Sequence, residues 1–451
     1  MLRPSLVTAP LVPVHMSPED ERDAQILDNV LAIALCGVLA FAIAVFGATD
    51  YWAMCVLQIA SGALLVLWSA RQLASGRIKV IWNPLFIPLL LLAAVITIQL
   101  LWRTEYWYAT WVKSIQWLCY AMVFFVASQT LRGENRLRQF GLFLVFFGTL
   151  VALVAIAQGG TGSDKVFWLF PTDSPAVLYG PYANHAHYAG LMEMLLPVPL
   201  VFGSSGLFKS HEKVLLLFAA LIMAGSIFLA ASFGGVLSFA GELIVFTILL
   251  LRRRRRHRVW ISILVLLLVL SLFIVILQPA VFQQRLEGVR SKTEEAELTG
   301  RLAIVRDSLP MILKRPVLGY GLGTFVEVFP SYRTFLSNYT INAAHNDYVQ
   351  AMVEIGLVGF ALIAVLVFLL FREGMRKARN WEHDNESSMA MAALVGCSGI
   401  LIHSLCDFNL QVSANAALFA VLAAIAVSPR LGHSENHRRR FHARTHRWQP
   451  Q

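Results

Sequence analysis

Apolar residues run along this chain in blocks of roughly 18–24, each closed by a short polar stretch, and a helix of that length crosses a hydrocarbon layer ~30 Å thick. The blocks predict spans at 29–48, 52–70, 84–102, 110–131, 138–158, 183–204, 212–231, 233–251, 259–278, 348–371, 388–407 and 411–428. The expected fold class is all-α, a polytopic membrane helical bundle of about twelve transmembrane helices, since helices satisfy their own backbone groups in lipid. Two connections, 159–182 and 279–347, are far longer than ordinary loops, and the second can hold helices of its own. The expected organisation is a tail at 1–28, nine spans over 29–278, a loop domain at 279–347, three spans over 348–428 and a basic tail at 429–451.

Charge orients the bundle. Arg71, Arg77 and Lys79 follow the second span, Arg132, Arg136 and Arg138 the fourth, and Lys209 and Lys213 the sixth. The run Arg252 to Arg256 follows the eighth span, Arg372, Arg376, Lys377 and Arg379 the tenth, and Arg438 to Arg440 lie in the tail. Every second loop is basic, so these loops face the cytoplasm by the positive-inside rule. Both long loops then face the periplasm, as do Trp107, Tyr108 and Trp111, which read as an interfacial aromatic belt. Lys113, near the start of the fourth span, is expected to snorkel to the interface.

Composition agrees with the pattern: 57% of the 451 residues are hydrophobic and 14% charged, against about 45–50% and about 25% in soluble domains. The net charge of +10 would suggest nucleic acid in a soluble protein; here topology accounts for it. Cys36, Cys55, Cys119, Cys397 and Cys406 all fall in apolar blocks with no metal-ligand spacing, and read as small packing residues. The first ~27 residues carry Pro4, Pro10, Pro13 and Glu19-Asp20-Glu21 rather than a charged n-region and an apolar h-region, so the first span is expected to serve as the insertion signal. Two similar halves, as in many transporters, are not evident.

The loop at 279–347 carries the candidate chemistry. From Gly300, the residues Leu302, Val305, Leu309 and Ile312 recur at helical spacing and predict an amphipathic helix closed by Pro316. Gly319, Gly321 and Gly323 follow; without a strand before and a helix after, they read as tight turns rather than a nucleotide fingerprint. Asn346 or Asp347 is an N-cap for the tenth span, which puts His345 at a helix N-terminus on the outer membrane boundary. The neutral form of an imidazole accepts a proton, and the helix end favours a nearby anion such as phosphate, so His345 is a candidate general base. The competing account is a histidine making one interfacial hydrogen bond. Arg301 and Arg306 are guanidinium forks suited to a diphosphate, with solvated helix surface as the bland alternative; Asp307 and Glu297 are possible partners for Arg306. Glu193, Glu242, Glu354, His403 and Asp407 are costly in lipid and so are functional candidates, with buried structural hydrogen bonding the expected role of Glu193 and Glu242. In Asn184-His185-Ala186-His187-Tyr188 the two histidines diverge by about 200° on a helix, poor geometry for a shared metal.

Gly300-Arg301, Pro316-Val317-Leu318-Gly319-Tyr320-Gly321-Leu322-Gly323-Thr324-Phe325, and His345-Asn346-Asp347-Tyr348 with Glu354 and Gly356 resemble the signature of the O-antigen ligase/polymerase family. Gly180 to Gly190 and His403-Ser404-Leu405-Cys406-Asp407-Phe408-Asn409-Leu410 are similar to two further family segments, so the resemblance spans roughly 180–415. It implies a membrane glycosyltransferase that works without a metal or cofactor. The donor would be a glycan on undecaprenyl diphosphate at the periplasmic face of the inner membrane. The acceptor would be the hydroxyl of another glycan, of lipid A-core or of another molecule. The product would be a lipopolysaccharide or an exopolysaccharide. By the family pattern His345 is the general base and Arg301 binds diphosphate, with Arg306 and Asn346 as further donor-binding candidates. Asn184, His185, His187, Arg333, Asp347, Glu354, His403 and Asp407 are possible accessory residues. Where many members carry an arginine in a Ser-Arg-Gly segment, this chain reads Ser232-Phe233-Gly234, so another cation, Arg306 or Arg333, would have to substitute. That departure leans the expectation toward a polymerase or exopolysaccharide processing over a ligase. A transporter or flippase of lipid-linked glycans, and a scaffold subunit of an envelope complex, are the readings from other classes.

Overall fold

The computed structural model describes residues 7–10, 18–161, 165–171, 179–230, 232–251, 293–336 and 340–431. The expected ninth span at 259–278, the arginine run at 252–256 and the tail beyond 431 lie outside these residues. The fold is all-α. Among the described residues ten helices are long and apolar enough to cross a membrane, and a shorter apolar helix joins them.

The helices are α1 (Pro18–Ala44), α2 (Tyr51–Ala74), α3 (Phe86–Ile98), α4 (Trp107–Thr130), α5 (Glu134–Thr161), α6 (His185–Leu195), α7 (Pro197–Ser204), α8 (Ser210–Leu229) and α9 (Phe233–Leu251). After the gap come α10 (Thr293–Lys314), α11 (Phe325–Val328), α12 (Asp347–Lys377), α13 (Asn385–His403) and α14 (Ser413–Val427). Two short antiparallel ribbons accompany them, β1 (Val7–Pro10) with β2 (Arg77–Val80) and β3 (Lys165–Val166) with β4 (Phe170–Pro171). The pairing of 7–10 was not expected in a tail.

The centre is built from α6, α7 and α13. Their spanning windows are 94% buried for α6–α7 and 89% for α13, against 22% for α2, so these helices are enclosed by others while α2 presents most of its surface outward. Sequence explains why: α13 runs Ser-Ser-Met-Ala-Met-Ala-Ala-Leu-Val-Gly-Cys-Ser-Gly, and small residues let helix backbones approach closely. At Gly396 an added Cβ would fall 2.9 Å from the Met194 carbonyl of α6. Packed around this centre, α14 also contacts α4, and α9 also contacts α6.

The two ends of the bundle differ. One gathers the basic loops: Arg71 pairs with Asp28 at 2.9 Å, Arg132 donates to the Pro429 carbonyl, Arg138 lies 3.8 Å from Glu212, and the buried Lys377 donates to the Ile425 carbonyl. The opposite end holds α10, α11 and the turn segments beside them.

Two helices are interrupted. Pro197 separates α6 from α7 within the expected sixth span. In α12 the break is at Gly356, whose φ of +66° is outside the helical range. The segment 316–321 lies in this break: Tyr320 N–H donates to the Val353 carbonyl, Gly321 N–H to Glu354, and Leu357 N–H to Pro316. The fully buried Gln99 donates to the carbonyls of Leu318 and Glu354. The opened backbone is thus satisfied by protein. Gly319 (φ +68°) and Gly321 (φ +120°) are needed where the chain turns against it, so the glycine series is made of tight turns, as expected.

The amphipathic helix begins seven residues before Gly300, and its buried face is not the expected one. Ile304, Asp307, Ser308 and Met311 are buried, whereas Leu302 and Leu309 are 62% and 50% exposed. The reason is local: Asp307 accepts from Thr334 N–H at 2.7 Å and from the Thr334 hydroxyl, turning its face toward the loop it caps.

Candidate active site

Asp407 organises the end opposite the basic loops. It lies in the turn between α13 and α14, and its side chain is 1% exposed. Its Oδ1 is 3.5 Å from His345 Nδ1, and its Oδ2 is 3.5 Å from an Nη of Arg301. The other Nη of Arg301 donates to the Cys406 carbonyl at 2.8 Å. A residue from α10, one preceding α12 and one from the α13–α14 turn therefore meet on a single carboxylate. Burial alone would raise the Asp407 carboxyl, but the contact with His345 and the charges of His187 and Arg301 outweigh it and hold the group well below the usual carboxylate range.

His345 is held in a left-handed conformation, φ +50°, rare for a residue with a side chain. Its neighbours fix it. Ala344 N–H donates to the Gln350 side chain at 3.1 Å, and Asp347 N–H donates to the Ser404 carbonyl at 3.0 Å. Asn346 is the N-cap of α12: its carbonyl oxygen accepts from Tyr348 and Val349 N–H, and its amide donates to Leu405. Asp347 accepts from the Ser404 hydroxyl at 2.8 Å and from Leu410 N–H at 3.2 Å. The start of α12 and the turn 404–411 are thus stitched together, with the His345 imidazole partly exposed between them.

The other expected residues divide into two groups. His187 lies close by, bonded through Nδ1 to Asn409 at 2.8 Å, and the Phe408 ring meets both His187 and His345 edge-on at 4.7 and 4.9 Å. His403 bonds Glu193 at 2.9 Å in a fully buried pair. Glu193 is therefore hydrogen-bonded as expected. Glu242 is not: both of its buried carboxyl oxygens have no hydrogen-bond partner among the described residues. Asn184 caps α6 through Ala186 N–H, and His185 Nδ1 contacts the Ala230 carbonyl.

The substitute cations are placed elsewhere. Arg306 is two-thirds exposed and bound to Asp307 and Thr334, and no contact joins it to Asp407. Arg333 follows the 3-10 turn Phe329–Ser331 and donates its backbone N–H to Phe329, with no side-chain contact to this cluster. Phe233 is 68% exposed, and beside it Gly234 lies so close to His403 that a Cβ there would be 2.7 Å from Nε2. Among the described residues, Arg301 is the arginine that reaches Asp407 beside His345.

Two residues gained significance only from the structure. Lys113 lines a cavity with Glu354, and Phe408 lies between that cavity and His345. Nothing in helical periodicity marks either contact, because each joins segments far apart in the sequence.

A comparison with curated proteins finds no match. Residues 218–364 match the family model described as O-antigen ligase, a stretch that contains Arg301, His345 and Glu354. Over that stretch the chain is similar to the O-antigen ligase family.

Proposed function

We propose that this protein is a glycosyltransferase that moves a glycan from undecaprenyl diphosphate to an acceptor hydroxyl at the periplasmic face of the inner membrane. The observation that carries the reading is the sharing of one buried carboxylate, Asp407, by a partly exposed histidine and an arginine. Placement at the periplasmic face is supported by the basic loops gathering at the other end.

In this mechanism His345 takes the proton of the acceptor hydroxyl, and its oxygen attacks the anomeric carbon with inversion. The bond from that carbon to the diphosphate oxygen breaks, and undecaprenyl diphosphate leaves with the electron pair. Diphosphate is a good leaving group that needs charge stabilisation more than a proton. In this reading Arg301 and the N-terminus of α12 supply it, and the reaction needs no metal. Asp407 is a positioning residue. It orients the imidazole, offsets its developing charge, and draws Arg301 to the same place. Asn346 holds the start of α12 in position.

The test is an in vitro assay with purified protein, lipid-linked glycan and EDTA, comparing wild type with His345→Ala, with and without a lipid A-core acceptor. Longer glycan on the polyprenyl carrier, dependent on His345, identifies a polymerase. Glycan moved to the added acceptor identifies a ligase. His345-independent transfer refutes the general-base role, and the absence of any covalent product favours transport of the lipid-linked glycan.

A further inference from the structure

A cavity of about 240 Å³ opens at the same end of the bundle, between α4, α11, α12 and the turn 408–413. It is smaller than the ~300–1,000 Å³ typical of sites for drug-sized ligands, and it suits a single sugar ring. Its wall is polar and aromatic at once: Lys113, Asn342, Gln350 and Glu354 face it together with Phe325 and Phe408.

Most of this polarity is already committed. Glu354 accepts from Gly323 N–H at 2.9 Å and from the Gln350 amide at 3.0 Å, one bond to each oxygen. The Gln350 carbonyl oxygen is taken by Ala344 N–H. Lys113 differs. Gly323, with φ +79°, lies against its stem, where an added Cβ would be 2.8 Å from the lysine Cβ. Its ammonium carries three donors, and it lies within the electrostatic reach of Glu354 and Asp347. With three donors at the wall of a small cavity, beside a carboxylate whose two oxygens already accept other bonds, this cation has donors to offer a guest.

We infer that this cavity is the subsite for the acceptor, holding the sugar ring next to the one whose hydroxyl reacts. The Lys113 ammonium would donate to that ring's hydroxyl or carboxylate oxygens, and an aromatic face would cover its C–H surface. The position fits this role. Phe408 lines the cavity and also meets the His345 ring at 4.9 Å, and Ala343 and Gln350 of the wall flank the His345 turn. Arg301, the diphosphate candidate, approaches Asp407 through the other carboxylate oxygen from the one facing His345. Acceptor and donor are thereby separated across the base. The inference rests on the proposed glycan transfer for its name as an acceptor site, but not for sugar binding.

Two measurements test it. The first is binding of the oligosaccharide repeat, released by mild acid from the cell's own surface polysaccharide, to nanodisc-embedded His345→Ala protein, read by saturation-transfer NMR and calorimetry. Binding is expected, weakened at least tenfold by adding Lys113→Met and restored in part by Lys113→Arg, with unchanged melting temperatures showing that the fold survives. The second is transfer by wild-type and Lys113→Met protein at varied acceptor concentration. A rise in the acceptor KM with little change in kcat or in the donor KM is expected. Oligosaccharide binding that ignores Lys113→Met, or no binding at all, overturns the subsite. Lys113-dependent binding in a protein that transfers nothing would keep the sugar site and refute the transferase. His345-dependent transfer with an unchanged acceptor KM would do the reverse.

Discussion

His345 Nδ1 stands 3.5 Å from Oδ1 of Asp407, inside the range of charge attraction but beyond a good N–H···O hydrogen bond. Catalytic pairs are often loose without substrate and tighten as the reacting groups arrive. His345 and Arg301 share Asp407, so closure of one contact is coupled to the other.

That geometry sets the first expectation. His345→Ala should lower transfer by about 10²–10⁴-fold, the usual contribution of a positioned base, while protein in the membrane stays at wild-type level. Asp407→Asn should cost less, because an amide keeps the shape and loses the charge. The discriminating readout is kcat measured beside acceptor and donor KM. A positioning residue should lower kcat and also weaken donor binding through Arg301, whereas a purely structural role would reduce the amount of folded protein and leave both KM values alone.

Arg301 should behave as a fork rather than as a point charge. Arg301→Ala is expected to reduce transfer by about 10²–10³-fold, the scale for removing a donor aimed at developing negative charge. Arg301→Lys should recover little, since one ammonium cannot reach both the Cys406 carbonyl and the Asp407 carboxylate while also binding diphosphate. Arg306→Ala should change transfer only slightly, because that guanidinium is engaged with Asp307 and Thr334. An effect of Arg306→Ala as large as that of Arg301→Ala would show that Arg306 also supplies charge to the donor.

The break in α12 makes a prediction about the fold. Gly356 has a positive φ, and a Cβ there would fall onto the Val317 carbonyl. Gly356→Ala should therefore cost more than the ~1–3 kcal/mol of backbone strain alone, since the 316–321 segment must also move. A lowered melting temperature in detergent, with earlier proteolysis near residues 316–323, is the expected result. Unchanged melting would mean that the break can be straightened.

The bundle is legible in the sequence because a span must be apolar along its whole length, and the position of His345 before a helix N-terminus is legible because an N-cap motif is local. That legibility ends where burial stops following hydrophobicity. Leu302 and Leu309 are exposed while Asp307 and Ser308 are buried, since a helix beside a membrane can face apolar groups outward and use its inner face for hydrogen bonds. The cavity that Lys113 lines is hidden from sequence for a related reason. A lysine near a helix end reads as an interfacial anchor unless the partner segment is known, and here that segment, with Gly323 and Glu354, lies more than two hundred residues away. The basic end shows the opposite case, where loop charge alone was enough to group Arg71, Arg132 and Arg138.

Asp307 supplies a pH signature distinct from catalysis. Burial opposes its charge, but the Thr334 backbone and hydroxyl and the Arg306 guanidinium more than compensate, so its carboxyl titrates below the ordinary range. A depressed folded value means that its contribution to stability is complete above the unfolded value of about 3.9 and is lost as pH falls through the lower folded one. Hydrogen exchange across 300–336 should therefore stay slow relative to Asp307→Asn from neutral pH down to about 4, with the difference between the two proteins shrinking only in more acid solution. If that difference instead disappears between pH 7 and 5, the tie between α10 and the Thr334 loop is not held by a charged Asp307.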